Sequence, residues 1–218
     1  MNRRPLSAAA ALTAAAALLL TACGGGDDKP KGNDKIAGAD SSASAKPASP
    51  SASPSDAAGR PKITLAKDMH NIFEGGETGD PVKDAILHDN TQAISAMDEA
   101  VYTRSLEKPA FGTYLAGNAA KAGAVWVQGF YDEGITWTGQ VRYFKRNITS
   151  LKGNVATLTY CSDDSKSFNK DLKTGKKSGA VTNPADYLGL YSTRLKKNSE
   201  GIWQTTELVA HRGASQCQ

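Results

Sequence analysis

The chain has 218 residues, with 26 basic and 22 acidic side chains and a formal net charge of +4. This length suits one domain or two small ones. The Lys and Arg residues form no block interleaved with aromatic residues, which argues against a nucleic-acid-binding surface. We therefore expect no nucleic-acid partner.

The first 22 residues have the pattern of a bacterial export signal. Positive charge precedes an apolar stretch, Leu6 to Leu20, that is too short for a comfortable membrane span. The sequence Leu20-Thr21-Ala22-Cys23 then resembles the lipobox of bacterial lipoproteins. This resemblance implies cleavage before Cys23, a diacylglyceryl anchor on its sulfur, and residence on the extracytoplasmic face of the cell membrane. The alternative is an ordinary secretory signal that contains a chance cysteine.

Residues 23–59 form a predicted tether rich in Gly, Ala, Ser and Pro, in which Ile36 is the lone bulky aliphatic residue. Such a segment cannot bury enough apolar surface to offset its ordering entropy, so we expect it to be disordered. Its repeated prolines favour extended conformations, which suits a spacer between the lipid and a domain. The rest of the chain, 60–218, is predicted to be a single domain.

The cysteine count agrees with export. Once Cys23 is assigned to the lipid, Cys161 and Cys217 remain. An even remainder in an exported chain favours one disulfide. It would close a loop of roughly 55 residues, for which the chain-entropy model gives about 4 kcal/mol of stabilisation. Two unpaired thiols are the alternative.

Two helices are predicted in the first half of the domain. Asp80 is a suitable N-cap for a helix that covers Pro81 to Ser105, along which apolar residues recur at helical spacing. A second helix is predicted from Tyr114 to Asp132, with Gly134 as its left-handed terminator. Before both helices, Ile63 to Leu65 is expected to add a short edge strand.

After Gly134 the apolar period changes from helical to alternating, which is typical of half-buried strands. The polar stretch Ser162 to Ala185 is predicted to be a long exposed connection. Helices followed by strands predict an α+β fold, with two N-terminal helices packed on one face of a curved antiparallel sheet of about four strands. The predicted strands cover Trp137–Tyr143, Val155–Cys161, Asp186–Lys197 and Ile202–His211.

This order of elements is similar to that of the nuclear transport factor 2-like superfamily, which includes ketosteroid isomerases and polyketide cyclases. The resemblance covers most of the segment from Pro81 to His211, and it implies a cone-shaped fold. The stretch His88 to Ile94, together with Tyr160-Cys161 and the terminal Gln216-Cys217, also resembles an uncharacterised group of actinobacterial lipoproteins. No activity is carried over to this chain from that second resemblance.

Catalytic motifs are missing from the sequence. It has no phosphate-binding glycine loop, no nucleophile elbow and no metal-ligand motif, and its three histidines fall in different predicted elements. We expect no metal and no cofactor. The resemblance implies that enzymes of the cone-shaped fold use an interior acid as general base, and Glu207 is the one candidate inside a predicted strand. Asp163, Asp164 and Asp186 are interpreted as surface turn residues.

Several side chains are candidates for the lining of an interior pocket. Asn90 falls on the apolar side of the first predicted helix, where the alternative is a core amide bonded to the backbone. Four aromatic residues either line a pocket or fill the interior. These are Trp126, Trp137, Tyr143 and Trp203.

The favoured interpretation is a non-enzymatic domain that binds a small molecule or a protein and is held at the membrane through Cys23. One alternative is a small-molecule isomerase or cyclase of the cone-shaped fold. Another is a structural scaffold of the cell envelope. The interior should distinguish them, because a ligand-binding domain needs a hollow with convergent polar groups.

Overall fold

A computed structural model describes residues 59–179 and 183–218. Within this part of the chain, helices pack on a mixed, mostly antiparallel sheet, which confirms the predicted α+β class. Cys23, most of the predicted tether and the leader lie outside the described residues. Among the residues described, no helix is long and apolar enough to cross a membrane.

Four α-helices lie in the part of the chain that the structure describes. They are α1 (Pro81–Thr103), α2 (Pro109–Tyr114), α3 (Gly117–Glu133) and the single turn α4 (Pro184–Tyr187). The Asp80 side chain accepts bonds from the Val82 and Lys83 amides at 2.9 and 3.2 Å, which explains where α1 begins. Gly134 ends α3 in the left-handed conformation, with φ at 65°. The predicted second helix is therefore α3, preceded by a separate short α2.

The sheet has six strands in the described residues, in the order β1-β2-β3-β5-β6, and β4 pairs with β3. β1 is parallel to β2, and the other pairs are antiparallel. A 3₁₀ turn at Ser215–Cys217 ends the chain. The strands are β1 (Met69–Phe73), β2 (Ile135–Lys152), β3 (Val155–Asp171), β4 (Lys177–Ser178), β5 (Leu188–Lys197) and β6 (Trp203–Arg212).

Two details of the predicted sheet are wrong. The edge strand is Met69–Phe73 instead of Ile63–Leu65, and it is parallel because the chain crosses over through the helices before β2 forms. The first part of the stretch from Ser162 to Ala185 is not an exposed connection, since β3 continues to Asp171 and pairs with the first half of β2, whereas residues 172–179 are exposed. The residues in this second half of β3 are mostly polar, so the apolar alternation that predicts a strand is missing from them.

Irregular pairing bends the long β2–β3 hairpin. The register shifts at three places along β2, and such bulges increase local twist and curvature. Gly139 lies beside the first shift with φ at 104°, where a Cβ would collide with the Lys166 carbonyl oxygen. Glycine is required at this position because of both its φ value and the close approach of β3.

The disulfide is present and closes the C-terminus onto the sheet. Cys161 on β3 and Cys217 are bonded, with their Cα atoms 5.6 Å apart. Both are buried beside Phe144 and Leu188, in a small cluster separate from the main core between helices and sheet. The link holds the last residues of the chain against β3.

Candidate ligand-binding site

A cavity of about 500 Å³ lies between α1, α3 and the sheet. Its volume falls within the range that is usual for small-molecule sites. Helix α3 contributes two small residues to the lining: Ala122 at the exposed rim, and Gly123, against which Met97 packs closely. Aromatic and aliphatic side chains make up most of the wall, and these are Ile94, Met97, Trp126, Phe130, Trp137, Val141, Tyr143, Tyr160, Tyr191 and Leu208.

The aromatic wall is itself packed. Tyr160 and Tyr191 stack with ring centroids 4.9 Å apart, and Tyr143 meets Tyr160 edge-on at 6.1 Å. Trp126 and Phe130 on α3 form a second edge-on pair at 4.8 Å. Trp126 is 44% exposed, which places it at the rim. Rings that support one another present a firm surface to a ligand.

Asp98 is the buried acid of this cavity. It projects from α1, is 4% exposed and lines the cavity wall. Its Oδ2 accepts a hydrogen bond from Asn71 Nδ2 at 2.7 Å, and its Oδ1 accepts one from Trp137 Nε1 at 3.0 Å. Both donors are neutral. In the described residues no Lys, Arg or His forms an ion pair with Asp98.

Burial raises the pKa of Asp98 to about 7, and the nearby Asp164 carboxylate adds to the rise. The hydrogen bonds from Asn71 and Trp137 act in the opposite direction, but desolvation outweighs them. The carboxyl group is consequently present in both protonation states near neutral pH. A carboxyl group in a cleft with a pKa shifted this far is typical of a functional site.

Sequence reasoning missed Asp98, although a signal existed. Asp98 lies four residues after Ile94 and three before Val101, so it shares the buried face of α1 with both. The sequence points instead to Glu207, the one acid inside a predicted strand. The structure places the Glu207 side chain 57% exposed and 3.9 Å from Arg194, away from the cavity.

Polar groups collect at one side of the cavity. Arg212 on β6 donates to the Asp164 carboxylate on β3, and Ser167 and Asn169 lie further along β3. Asp186 on α4 completes this set. Asp164 and Asp186 therefore belong to the cavity lining, not to remote surface turns. Asp163, by contrast, pairs with Arg142 at 3.4 Å.

The other predicted lining residues divide between the cavity and the core. Trp126, Trp137 and Tyr143 line the cavity. Trp203 is 1% exposed and packs in a second apolar cluster between α1 and the sheet. Asn90 is 1% exposed and accepts a bond from Arg146 Nη2 at 3.3 Å, so it is a bonded interior amide.

A second buried acid, Asp89, has a different environment. It forms an ion pair with Arg60 and accepts the Trp203 backbone amide at 2.8 Å, and His88 Nδ1 lies 3.2 Å away. Burial would raise the pKa of Asp89, but the bonds from His88, Arg60 and Trp203 outweigh it and hold the pKa below its usual value. Asp89 is fully bonded by the protein, and it does not line the cavity.

No group of three or more metal-ligating side chains occurs in 59–179 and 183–218. His70, His88 and His211 lie on β1, α1 and β6, as separate side chains. The cavity lining includes none of them. Its chemistry consequently rests on carboxyl, hydroxyl, amide, guanidinium and indole groups.

Comparison with known proteins gives distant structural likenesses only. No protein-family model matches the chain, and no curated protein matches it. One similar solved structure is a ketosteroid isomerase-like protein from Erwinia carotovora atroseptica, with 14% identity, a TM-score of 0.38, and coverage of 62% of this chain and 98% of that chain.

Two further structures are similar at the same distance. Aln2 from a Streptomyces species has 14% identity and a TM-score of 0.41, and covers 62% of this chain and 94% of that chain. An NTF-2 like protein of unknown function from Shewanella oneidensis has 16% identity and a TM-score of 0.33, with 57% and 97% covered. Because these scores and identities are low, we draw no function from them.

Proposed function

We propose that this protein binds an apolar small molecule in the cavity between its helices and its sheet. The observation that carries the proposal is a cavity of about 500 Å³ with an aromatic wall and one buried carboxyl group. Apolar walls supply affinity through burial, and a few polar groups fix the ligand's orientation. A purely structural scaffold has no need for such a space.

The site of action in this proposal is the outer face of the cell membrane. It is supported by the lipobox-like Leu20-Thr21-Ala22-Cys23 and by the Gly-, Ser- and Pro-rich segment that follows. A lipid-anchored domain on a spacer would meet ligands that leave or approach the membrane. Its disulfide is consistent with an oxidising compartment.

Binding is tested with N-phenyl-1-naphthylamine, a neutral apolar probe that fluoresces in apolar surroundings. We expect saturable binding with one site per chain. Ala122→Phe should weaken it, because Ala122 lies at the exposed rim of the cavity and a phenyl group there would narrow the entrance. Val125→Phe is the matched control on the same helix, since Val125 is 75% exposed and does not line the cavity. Equal binding by both variants would place the probe elsewhere.

A second candidate function is proton transfer, as in an isomerase or cyclase, and Asp98 favours it. A buried carboxyl with a pKa of about 7 is suited to accept and return a proton at neutral pH. The step would move a proton from a carbon next to a ligand carbonyl to an Asp98 oxygen. The same proton, or one exchanged with water, would then return to carbon.

This candidate is tested by deuterium exchange into 1-tetralone in D₂O, followed by NMR. We expect exchange next to the carbonyl to be faster with the protein than with Asp98→Asn. A rate equal to the buffer rate with the unchanged protein would exclude proton transfer for this probe, while leaving binding intact. Glu207→Gln serves as the control, because this exposed acid is outside the cavity.

A further inference from the structure

Negative charge predominates in the cavity lining. Four charged side chains line it: Asp98, Asp164, Asp186 and Arg212. Arg212 is the single base of the lining, and it donates to the Asp164 carboxylate, so these two charges compensate each other. Asp98 and Asp186 form no ion pair within the described residues. The unbalanced charge of the lining is therefore acidic.

Asp98 has unused capacity to accept hydrogen bonds. Each of its oxygens receives one bond, from Asn71 or from Trp137, whereas a carboxylate oxygen can accept two. Asn71 Oδ1 is also buried and has no hydrogen-bond partner in the part of the chain that is described. Asp98 and Asn71 Oδ1 thus offer free acceptor positions, and the one indole N–H of Trp137 is already used.

The aromatic wall also favours a positively charged ligand. Trp126, Phe130, Trp137 and Tyr143 line the cavity that Asp98 faces. The faces of such rings attract cations because the ring quadrupole is negative there. An ionised carboxyl with no cation is costly in apolar surroundings, and a bound cation would offset that cost. A ligand carboxylate would meet repulsion from Asp98 instead.

We infer that the ligand class is a hydrophobic amine, whose ammonium group bonds Asp98 while its apolar body contacts the aromatic wall. The inference rests on the proposed binding function and specifies its ligand. Asp186, exposed on α4, would add attraction at the polar side of the cavity. The Asp164–Arg212 pair leaves this preference unchanged, because its charges compensate.

Three probes of one shape test the inference: 2-naphthylmethylamine, 2-naphthylmethanol and 2-naphthoate. Affinities would be measured by calorimetry with the full chain at about pH 8, where Asp98 is mainly ionised. We expect the amine to bind about 10-fold or more tightly than the alcohol, because hydrogen bonds between charged groups exceed neutral ones. The carboxylate should bind most weakly of the three.

The variant Asp98→Asn tests whether Asp98 causes the preference for the amine. This variant should lose the preference for the amine and retain the affinity for the alcohol. Glu207→Gln removes one negative charge from the exposed face of β6, and it should keep the full preference. An unchanged preference in Asp98→Asn would overturn the role given to Asp98.

The ranking with the unchanged protein is decisive even if a variant folds poorly. Alcohol binding equal to amine binding, or carboxylate binding that is strongest, would overturn the amine inference while the cavity still binds ligands. If none of the three probes nor N-phenyl-1-naphthylamine binds, the proposed binding function fails as well. The two failures are therefore distinguishable.

Discussion

Asp98 couples the protonation of the cavity to folding stability. The folded state holds the proton of this carboxyl more tightly than the unfolded chain does, since its pKa is about 7 in the fold and near 4 when exposed. The unfolded state then binds fewer protons across this interval. Linkage requires that the contribution of Asp98 to stability falls as the pH rises from about 4 to about 7, and stays low above it.

We predict that Asp98→Asn removes this fall. At about pH 8 the variant should be more stable than the unchanged protein by roughly 1–3 kcal/mol, since each pKa unit corresponds to about 1.4 kcal/mol and one hydrogen bond is altered. Asn71 can turn its amide so that its unpaired Oδ1 accepts from the new Asn side chain.

Urea unfolding of both proteins at about pH 5 and about pH 8 checks this prediction. The difference between the two proteins cancels the groups that they share, including the histidines. A stability difference that does not change with pH would show that Asp98 has an ordinary pKa in the fold.

At the residue scale, the sequence indicated the aromatic part of the site better than its acid. Trp126, Trp137 and Tyr143 were predictable as lining candidates because large aromatic side chains on amphipathic elements face the interior. For Asp98 the spacing from Ile94 and Val101 is a weaker signal, because an acid beside an apolar stripe faces either solvent or a gap between elements. The choice depends on where the sheet lies, which spacing along one helix does not contain.

At the element scale, α1 is attached to both ends of the domain through Asp89. Its carboxylate pairs with Arg60 near the start of the described residues and accepts the backbone amide of Trp203 in β6. Asp89 has no exposed surface, and the Arg60 side chain is 10% exposed. The pair therefore joins three segments that are distant in sequence.

We predict that Asp89→Asn destabilises the domain by about 3 kcal/mol, because it leaves a largely buried guanidinium without a counter-ion. Chemical unfolding at neutral pH measures the effect. Glu207→Gln breaks an exposed pair with a 3.9 Å separation and should change stability by less than about 1 kcal/mol. Similar losses in the two variants would contradict the structural role given to Asp89.

Boundaries of elements were predictable where a local signal exists. The start of α1 follows from the Asp80 cap and Pro81, and the end of α3 follows from Gly134. The second half of β3, up to Asp171, carries no such signal, because its polar residues gain their strand conformation from pairing with β2. The parallel β1 also depends on a partner that is distant in sequence, on the far side of the helices.

At the scale of the whole molecule, the α+β class followed from the change in apolar period after Gly134, but the cavity did not. A cavity is the space left when helices and sheet meet, and no single element encodes its size. Among the small residues of α3, Gly123 does permit close packing, since a Cβ there would lie 3.2 Å from Met97 Sδ, whereas Ala122 borders the cavity. The ligand hypotheses consequently depend on the structure, and the proposed location at the membrane depends on the sequence.

The lipid anchor is the prediction that decides where this cavity works. In a bacterial host that processes lipoproteins, the unchanged chain should incorporate a labelled fatty acid and sediment with membranes, because Cys23 is the expected acceptor. Cys23→Ser should incorporate no label and release the domain from the membrane fraction. Thr21→Ser keeps a small residue in the lipobox and should behave like the unchanged chain. If Cys23→Ser still acquires the label, the anchor is elsewhere, and the proposed membrane display fails while the cavity and its ligand preference stand.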